Sequence, residues 1–145
     1  MRKSFFVAEA KIVKKGEVTL QQLVEKVKQE AGQELGAIGC FVGVVRGASE
    51  RGAVKKLSYE AAETAEKEML KIMAELEKIP GILRAIAYHI IDDLSPGEDA
   101  IYVVIGGKHR KEVFDALPLA MDRIKKEVMI WKKEFTISGE HWVTG

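Results

Sequence analysis

Apolar and polar positions follow two different periods along this chain, and the switches between them outline its elements. Ser4 to Val13 mixes aromatic and branched residues with charge and ends at Lys14-Lys15-Gly16, which predicts a first strand and its turn. From Thr19 the spacing lengthens: Leu20, Leu23, Val24 and Val27 recur at helical intervals, and Gln22 completes a capping box with Thr19. Gly32 and Gly36 end that helix. AIGCFVGVVR follows as an apolar run bounded by glycines, a predicted buried strand that Arg46 closes. Arg46 to Ala53, RGASERGA, is rich in glycine and small polar residues, which predicts a mobile surface connection. VKKLSYE resumes as a strand. From Ala61 a second helix places Ala65, Met69, Ile72, Met73 and Leu76 on one side until Pro80-Gly81 stops it.

Leu83 to Ile91 and Ala100 to Ile105 read as two strands of an antiparallel hairpin around Asp92-Asp93-Leu94-Ser95-Pro96-Gly97. A third helix spans His109 to Val128. At about 100° per residue, Phe114, Leu117, Met121, Ile124 and Val128 fall on one arc, with Lys125 at its margin and Arg123 and Lys126 pointing away. Pro118 lies inside this helix, and an interior proline costs about 3 kcal/mol, so a kink or break is expected. Ile130 to Phe135 and His141 to Thr144 complete the pattern as strands around Ser138-Gly139. No internal repeat or linker interrupts the chain. One α+β domain over residues 1–145 is expected, a largely antiparallel sheet with helices packed on it.

The composition agrees with a folded soluble domain, since 47% of the residues are hydrophobic and 31% charged. A net charge of +1 counts against a protein whose main task is to neutralise many phosphates, so an anion site would have to be local. The single cysteine, Cys40, excludes an intrachain disulfide and a multi-cysteine zinc site, and its apolar setting predicts a buried core thiol. The N-terminal segment is too short in apolar residues for a signal peptide and no segment approaches a membrane span, which makes the cytoplasm the expected compartment.

Two stretches carry candidate chemistry. Lys125 is placed half against an apolar wall, where desolvation would favour the neutral amine that acts as base or nucleophile. The plainer reading, and the one that helical phase alone favours, is that its stem snorkels along the core edge with the ammonium in water. Ile105-Gly106-Gly107-Lys108-His109-Arg110-Lys111 runs a strand into a helix whose first turn is basic. Cations there oppose the helix dipole unless an anion binds, so this is either a phosphate or carboxylate site or a solvated helix start. Arg110 is placed over the Phe114 and Leu117 face. Lys132 and Lys133 leave opposite faces of a predicted strand, so at most one of them shares a site with Lys125. His89 lies in an apolar strand and reads as a hydrogen-bonded core histidine, while His141 stands alone. No metal-ligand spacing and no readable serine triad occur, and Asp92-Asp93 is a turn before it is a carboxylate pair.

FVGVVRG, YEAAETAEKEM, IIDDLSPGEDAIYVVIGGKHR and MDRIKKEVMIWKKEF with GEHWV, in this order and spacing, resemble the large catalytic subunit of molybdopterin synthase. The resemblance covers the chain from its first strand to Trp142. It implies an α/β-hammerhead-like fold and a sulfurtransferase that needs no metal or organic cofactor. The implied reaction converts cyclic pyranopterin monophosphate to the dithiolene of molybdopterin, in molybdenum cofactor biosynthesis. The sulfur would arrive on the C-terminal Gly-Gly thiocarboxylate of a small ubiquitin-like subunit, and the implied assembly is a central homodimer with one small subunit at each outer end, a heterotetramer. By motif, the resemblance assigns Lys125 and Lys132 as catalytic. It assigns Val44, Val45, Arg46, His109, Arg110, Lys125, Lys132, Lys133 and Glu134 to substrate binding.

The sequence departs from the family pattern at Pro118, in the RGASERGA loop, and in lacking an arginine beyond the closing tryptophan strand. Two other readings of the residues are a small phosphate- or RNA-binding α+β module acting through Lys108 to Lys111 and Lys125 to Lys133, and an adaptor that pairs through a sheet edge.

Overall fold

The structure is a computed structural model that describes residues 8–143; Ser4 to Val7 of the first predicted strand and Thr144 of the last fall outside that range. Its elements in chain order are β1 (Glu9–Val13), α1 (Leu20–Glu30), β2 (Ala37–Val44), β3 (Ala48–Ser49), β4 (Gly52–Ala61) and α2 (Ala65–Leu76). Then follow β5 (Ile82–Ile90), β6 (Asp93–Leu94), β7 (Asp99–Gly107), α3 (Arg110–Glu127), β8 (Ile130–Thr136) and β9 (Gly139–Val143).

β5 and β7 form the centre because their apolar runs have two faces to cover. Ile101, Val103 and Ile105 enter one buried cluster with Met69, Ile72, Met73 and Leu76 of α2 and Ala116, Ala120 and Ile124 of α3. The alternate residues Tyr102 and Val104 enter a second cluster with Leu23 and Val27 of α1 and Leu57 of β4. A strand buried on both sides loses the polar alternation of a half-exposed one, which is why IYVVI is continuous. The sheet runs β1-β5-β7-β2, with β1 parallel to β5 and the other neighbours antiparallel. A second sheet runs β3-β4-β8-β9, and β6 pairs with β4. The capping box is present: Thr19 accepts from the Gln22 backbone N–H, and the Gln22 side chain accepts from that of Thr19.

Arg84 ties three elements together. It is 3% exposed in β5 and bridges Glu30 of α1 at 2.7 Å and Glu77 beyond α2 at 3.0 Å.

Several expectations require correction. β2 is an edge strand, not a buried one, with Phe41 and Val44 exposed. Cys40 is exposed on the same strand, although partial burial still raises its thiol above the ordinary cysteine range. RGASERGA is not a loose connection: β3 pairs Ala48 with Ala53 and Ser49 with Gly52, closing a short hairpin. α3 continues through Pro118 without a break. Pro118 and Phe114 both lie on the solvent side, where water can serve the carbonyl that lost its donor. Phe114 is 64% exposed, whereas Ile124 and Val128 of the predicted arc are buried and Leu117 and Met121 pack against the same cluster, so the arc fails at Phe114 alone. The buried stripe is Val113, Ala116, Ala120 and Ile124. α3 lies so close to β2 that a Cβ on Gly39 would sit 2.5 Å from the Val113 side chain and 2.8 Å from that of Leu117.

Candidate functional site

Two adjoining chambers, of about 350 and 440 Å³, open where the end of α3 meets the second sheet, and Val44, Arg46, Tyr59, Lys125, Lys132 and Val143 line both. The first has apolar walls from Phe41, Ile101, Met121, Ile124 and Trp131 beside the shared cations, with His89 among its lining. The second is polar, with Ser49, Glu50, Arg51 and Glu134.

Each cation reaches the cavity for a local reason. The pairing of β2 with β7 shifts register between Gly43 and Val44, and Val45 is then clamped by backbone hydrogen bonds to Glu98 and Gly97. Val45 is thereby fixed in the core, and Arg46 beside it is delivered to the cavity. Lys125 stands in the last turn of α3, where its charge complements the helix dipole. Lys132 is on β8 opposite Tyr59 of β4, and cross-strand partners share a face.

Burial falls on Lys132 and not on Lys125, which is exposed. Desolvation comes first, followed by the charges of Lys125 and Arg46, and together they hold the Lys132 ammonium below the usual lysine range, with Glu134 acting in the opposite direction. The half-buried amine expected at residue 125 is therefore found seven positions later. Glu134, 6% exposed, accepts a hydrogen bond from the Ser49 hydroxyl at 2.7 Å and lies 3.7 Å from the Arg51 guanidinium.

The remaining candidates lie elsewhere in the protomer. Lys133 leaves the other face of β8, 2.8 Å from Glu140 and against the rings of Trp142 and Phe135. His109 and Arg110 begin α3, about 22 Å of helix axis from Lys125 at 1.5 Å per residue. His109 contacts Glu112 at 3.1 Å, Lys108 is 3.4 Å from Glu34, and Lys111 is 2.9 Å from Asp115. Arg110 is exposed. The preceding glycines serve packing: a Cβ on Gly106 would meet Val27 at 2.6 Å and one on Gly107 would meet the Gly81 carbonyl at 2.9 Å.

Sequence reading missed Tyr59, Ser49 and Arg51. Tyr59 was visible only as an apolar position two residues from Leu57, and the other two sat in a stretch read as a loose loop. Among the described residues no group of three or more His, Cys, Asp or Glu side chains could hold a metal ion, and no helix is long and apolar enough to cross a membrane. Chemically, the three cations shared by both chambers, with Arg51 and two carboxylates, Glu50 and Glu134, in the second and apolar walls in the first, suit an anionic ligand that also has an apolar or planar part.

A family model described as MoaE protein matches residues 13–127. The chain is 41% identical over 123 residues to the molybdopterin synthase catalytic subunit of Pyrococcus abyssi, an alignment covering 83% of this chain and 82% of that one. Its fold matches the crystal structure of molybdopterin synthase from Staphylococcus aureus with a TM-score of 0.84 and 29% identity, over 100% of this chain and 99% of the other. The fold also matches the complex of subunits 1 and 2 of molybdopterin-converting factor from Helicobacter pylori, with a TM-score of 0.74 and 22% identity, over 92% and 89% of the two chains.

Proposed function

This chain belongs to the MoaE protein family, and we propose that it acts as the catalytic subunit of a molybdopterin synthase, a sulfurtransferase of molybdenum cofactor biosynthesis. The observation that carries this reading is the convergence of Arg46, Lys125 and Lys132, from three elements distant in sequence, on one cavity. A phosphorylated pterin and a thiocarboxylate are both anions, and cations held in place around them stabilise the charge they bring and the charge that develops during transfer. Arg46 offers a bidentate phosphate contact. Lys125 supplies fixed charge at the chamber boundary. Lys132, whose neutral form is the more accessible, is the group that exchanges protons during attack and release. The sulfur arrives on the Gly-Gly tail of a small ubiquitin-like subunit, which explains why no thiol of this chain need stand in the cavity; Cys40 is not among the lining residues.

The proposed assembly has a homodimer at its centre. Among the described residues β2 is an edge strand, carrying exposed Phe41 and Val44, and α3 beside it presents Phe114, an apolar surface suited to a second copy. Such a pairing gives His109 and Arg110, remote from Lys125 in their own protomer, a role in the site of the other.

The RNA-binding alternative loses support from charge pairing. Phe135 and Trp142 do flank Lys133, but Glu140 neutralises that lysine and Asp93 lies 3.4 Å from Lys56, so this face has no basic excess. The deciding experiment mixes the protein with a thiocarboxylated small subunit and the pterin precursor. Dithiolene product is expected; absence of product, with salt-sensitive binding to generic RNA instead, would overturn the proposal.

A further inference from the structure

Among the polar groups of the first chamber that the reaction proposed above leaves unused is His89. It stands in β5, 7% exposed, with Nδ1 at 3.2 Å from the carbonyl oxygen of Ile90. A carbonyl only accepts, so this contact places the proton on Nδ1 and leaves a lone pair on Nε2 of the neutral ring. Burial keeps the ring neutral by lowering its pKa to about 4, and the charge of Lys132 adds to that effect. Nε2 has no protein partner among the described residues, yet it is not sealed in: the fully buried side-chain polar atom without a partner is His141 Nε2. His89 is among the residues that line the chamber, and its ring meets that of Tyr59, another lining residue, edge-on, with centroids 5.1 Å apart.

The other polar groups of this chamber make that lone pair distinctive. Arg46, Lys125 and Lys132 donate and cannot accept while charged, and the Trp131 indole only donates. Apart from the Tyr59 oxygen, His89 Nε2 is the side-chain acceptor. A ligand offering only negative charge would satisfy the cations and leave Nε2 dehydrated and unpaired, which is unfavourable.

We propose that His89 is a specificity-determining residue of the cavity, whose Nε2 accepts a hydrogen bond from an amide-type N–H of the ligand that enters the first chamber. This rests on the reading that the chamber receives the reactants of sulfur transfer. Both reactants carry such a group, the glycyl backbone of the incoming tail and the lactam of the pterin ring. A site built around a hydrogen bond rejects an analogue lacking the donor, because its own polar group is then left unpaired.

The test begins on the ligand side, so that it does not depend on a variant folding. A small subunit ending in Gly-Gly is compared with a semisynthetic copy in which an ester replaces the last amide link, and both are titrated against the unaltered protein. His89→Leu and His89→Gln are then measured for the same titrations and for the KM of the pterin precursor, Gln keeping an acceptor near the Nε2 position. If the tail supplies the donor, the ester copy binds about 10-fold more weakly to the native protein, His89→Leu abolishes the difference and His89→Gln restores it. If the pterin supplies it, the ester is tolerated, while the pterin KM rises about 10-fold in His89→Leu and recovers in His89→Gln. Equal binding of amide and ester copies, together with a pterin KM unchanged in both variants, would overturn the proposal. A purely structural histidine would not discriminate amide from ester. Loss of the sulfur-transfer reading would show separately, as absence of dithiolene product from the native protein.

Discussion

Ser49 donates its hydroxyl to the buried carboxylate of Glu134 across 2.7 Å, fastening the β3–β4 hairpin to β8 two residues from Lys132. The Ser138 hydroxyl adds a bond to the Arg51 carbonyl at 3.0 Å, so the hairpin is held at a second point. Hydrogen bonds to charged groups contribute about 1.5–3 kcal/mol. Ser49→Ala should therefore destabilise the protein by about 2 kcal/mol and speed amide exchange across residues 46–52, as read by urea unfolding and hydrogen exchange.

Glu134 is also the carboxylate that opposes the lowering of the Lys132 pKa. Glu134→Gln keeps an acceptor for Ser49 but removes the charge, so Lys132 should lose its proton at a still lower pH. In a pH–rate profile the limb on which activity rises with the neutral amine should move toward acid. An unmoved limb would detach that step from Lys132.

Arginine substitutions separate the two lysines. Arginine keeps the charge but does not deprotonate. Lys125→Arg should retain much of the activity if fixed charge is its contribution, whereas Lys132→Arg should fall by about 10²–10⁴ in kcat, close to Lys132→Ala. Single-turnover kinetics with saturating small subunit would read the difference.

His89 makes stability depend on pH. Its folded pKa of about 4 lies below the ordinary 6.5, so on acidification the unfolded chain takes up the proton first. The stabilisation is complete above pH 6.5 and is lost as pH falls toward 4, a change of about 3 kcal/mol. Denaturant unfolding across that window should show this slope in the native protein and its removal in His89→Gln; carboxylate titrations are common to both and cancel.

Arg84 should be intolerant of simple truncation. Arg84→Ala leaves Glu30 and Glu77 facing each other without their shared cation, an expected loss of about 3–5 kcal/mol in unfolding free energy. Replacing all three by apolar residues of similar volume should cost far less.

How much was legible in the sequence depended on whether a signal was local. Thr19 and Gln22 announce their helix because a capping box is complete within four residues. The strands around IYVVI announce themselves by hydrophobicity alone. The exposure of β2 was not legible, because its apolar run is as continuous as that of a central strand. Nor was the exchange of burial between Lys125 and Lys132, which follows from how β8 packs against β4 and from the exact rotation of α3. Helical phase placed Phe114 inward because it weighs hydrophobicity; the other four residues of that arc do meet the core, and Phe114 is left outside it. The hairpin at Ala48–Ser49 was hidden for a further reason: its anchor, Glu134, is 85 positions away.

The contact at Gly39 makes α3 a lever. Its fulcrum is near Val113 and its working end is Lys125, about 18 Å further along the axis at 1.5 Å per residue. A single added methyl at residue 39 would tilt the whole rod and swing the ammonium out of alignment, although nothing at the cavity itself had been altered.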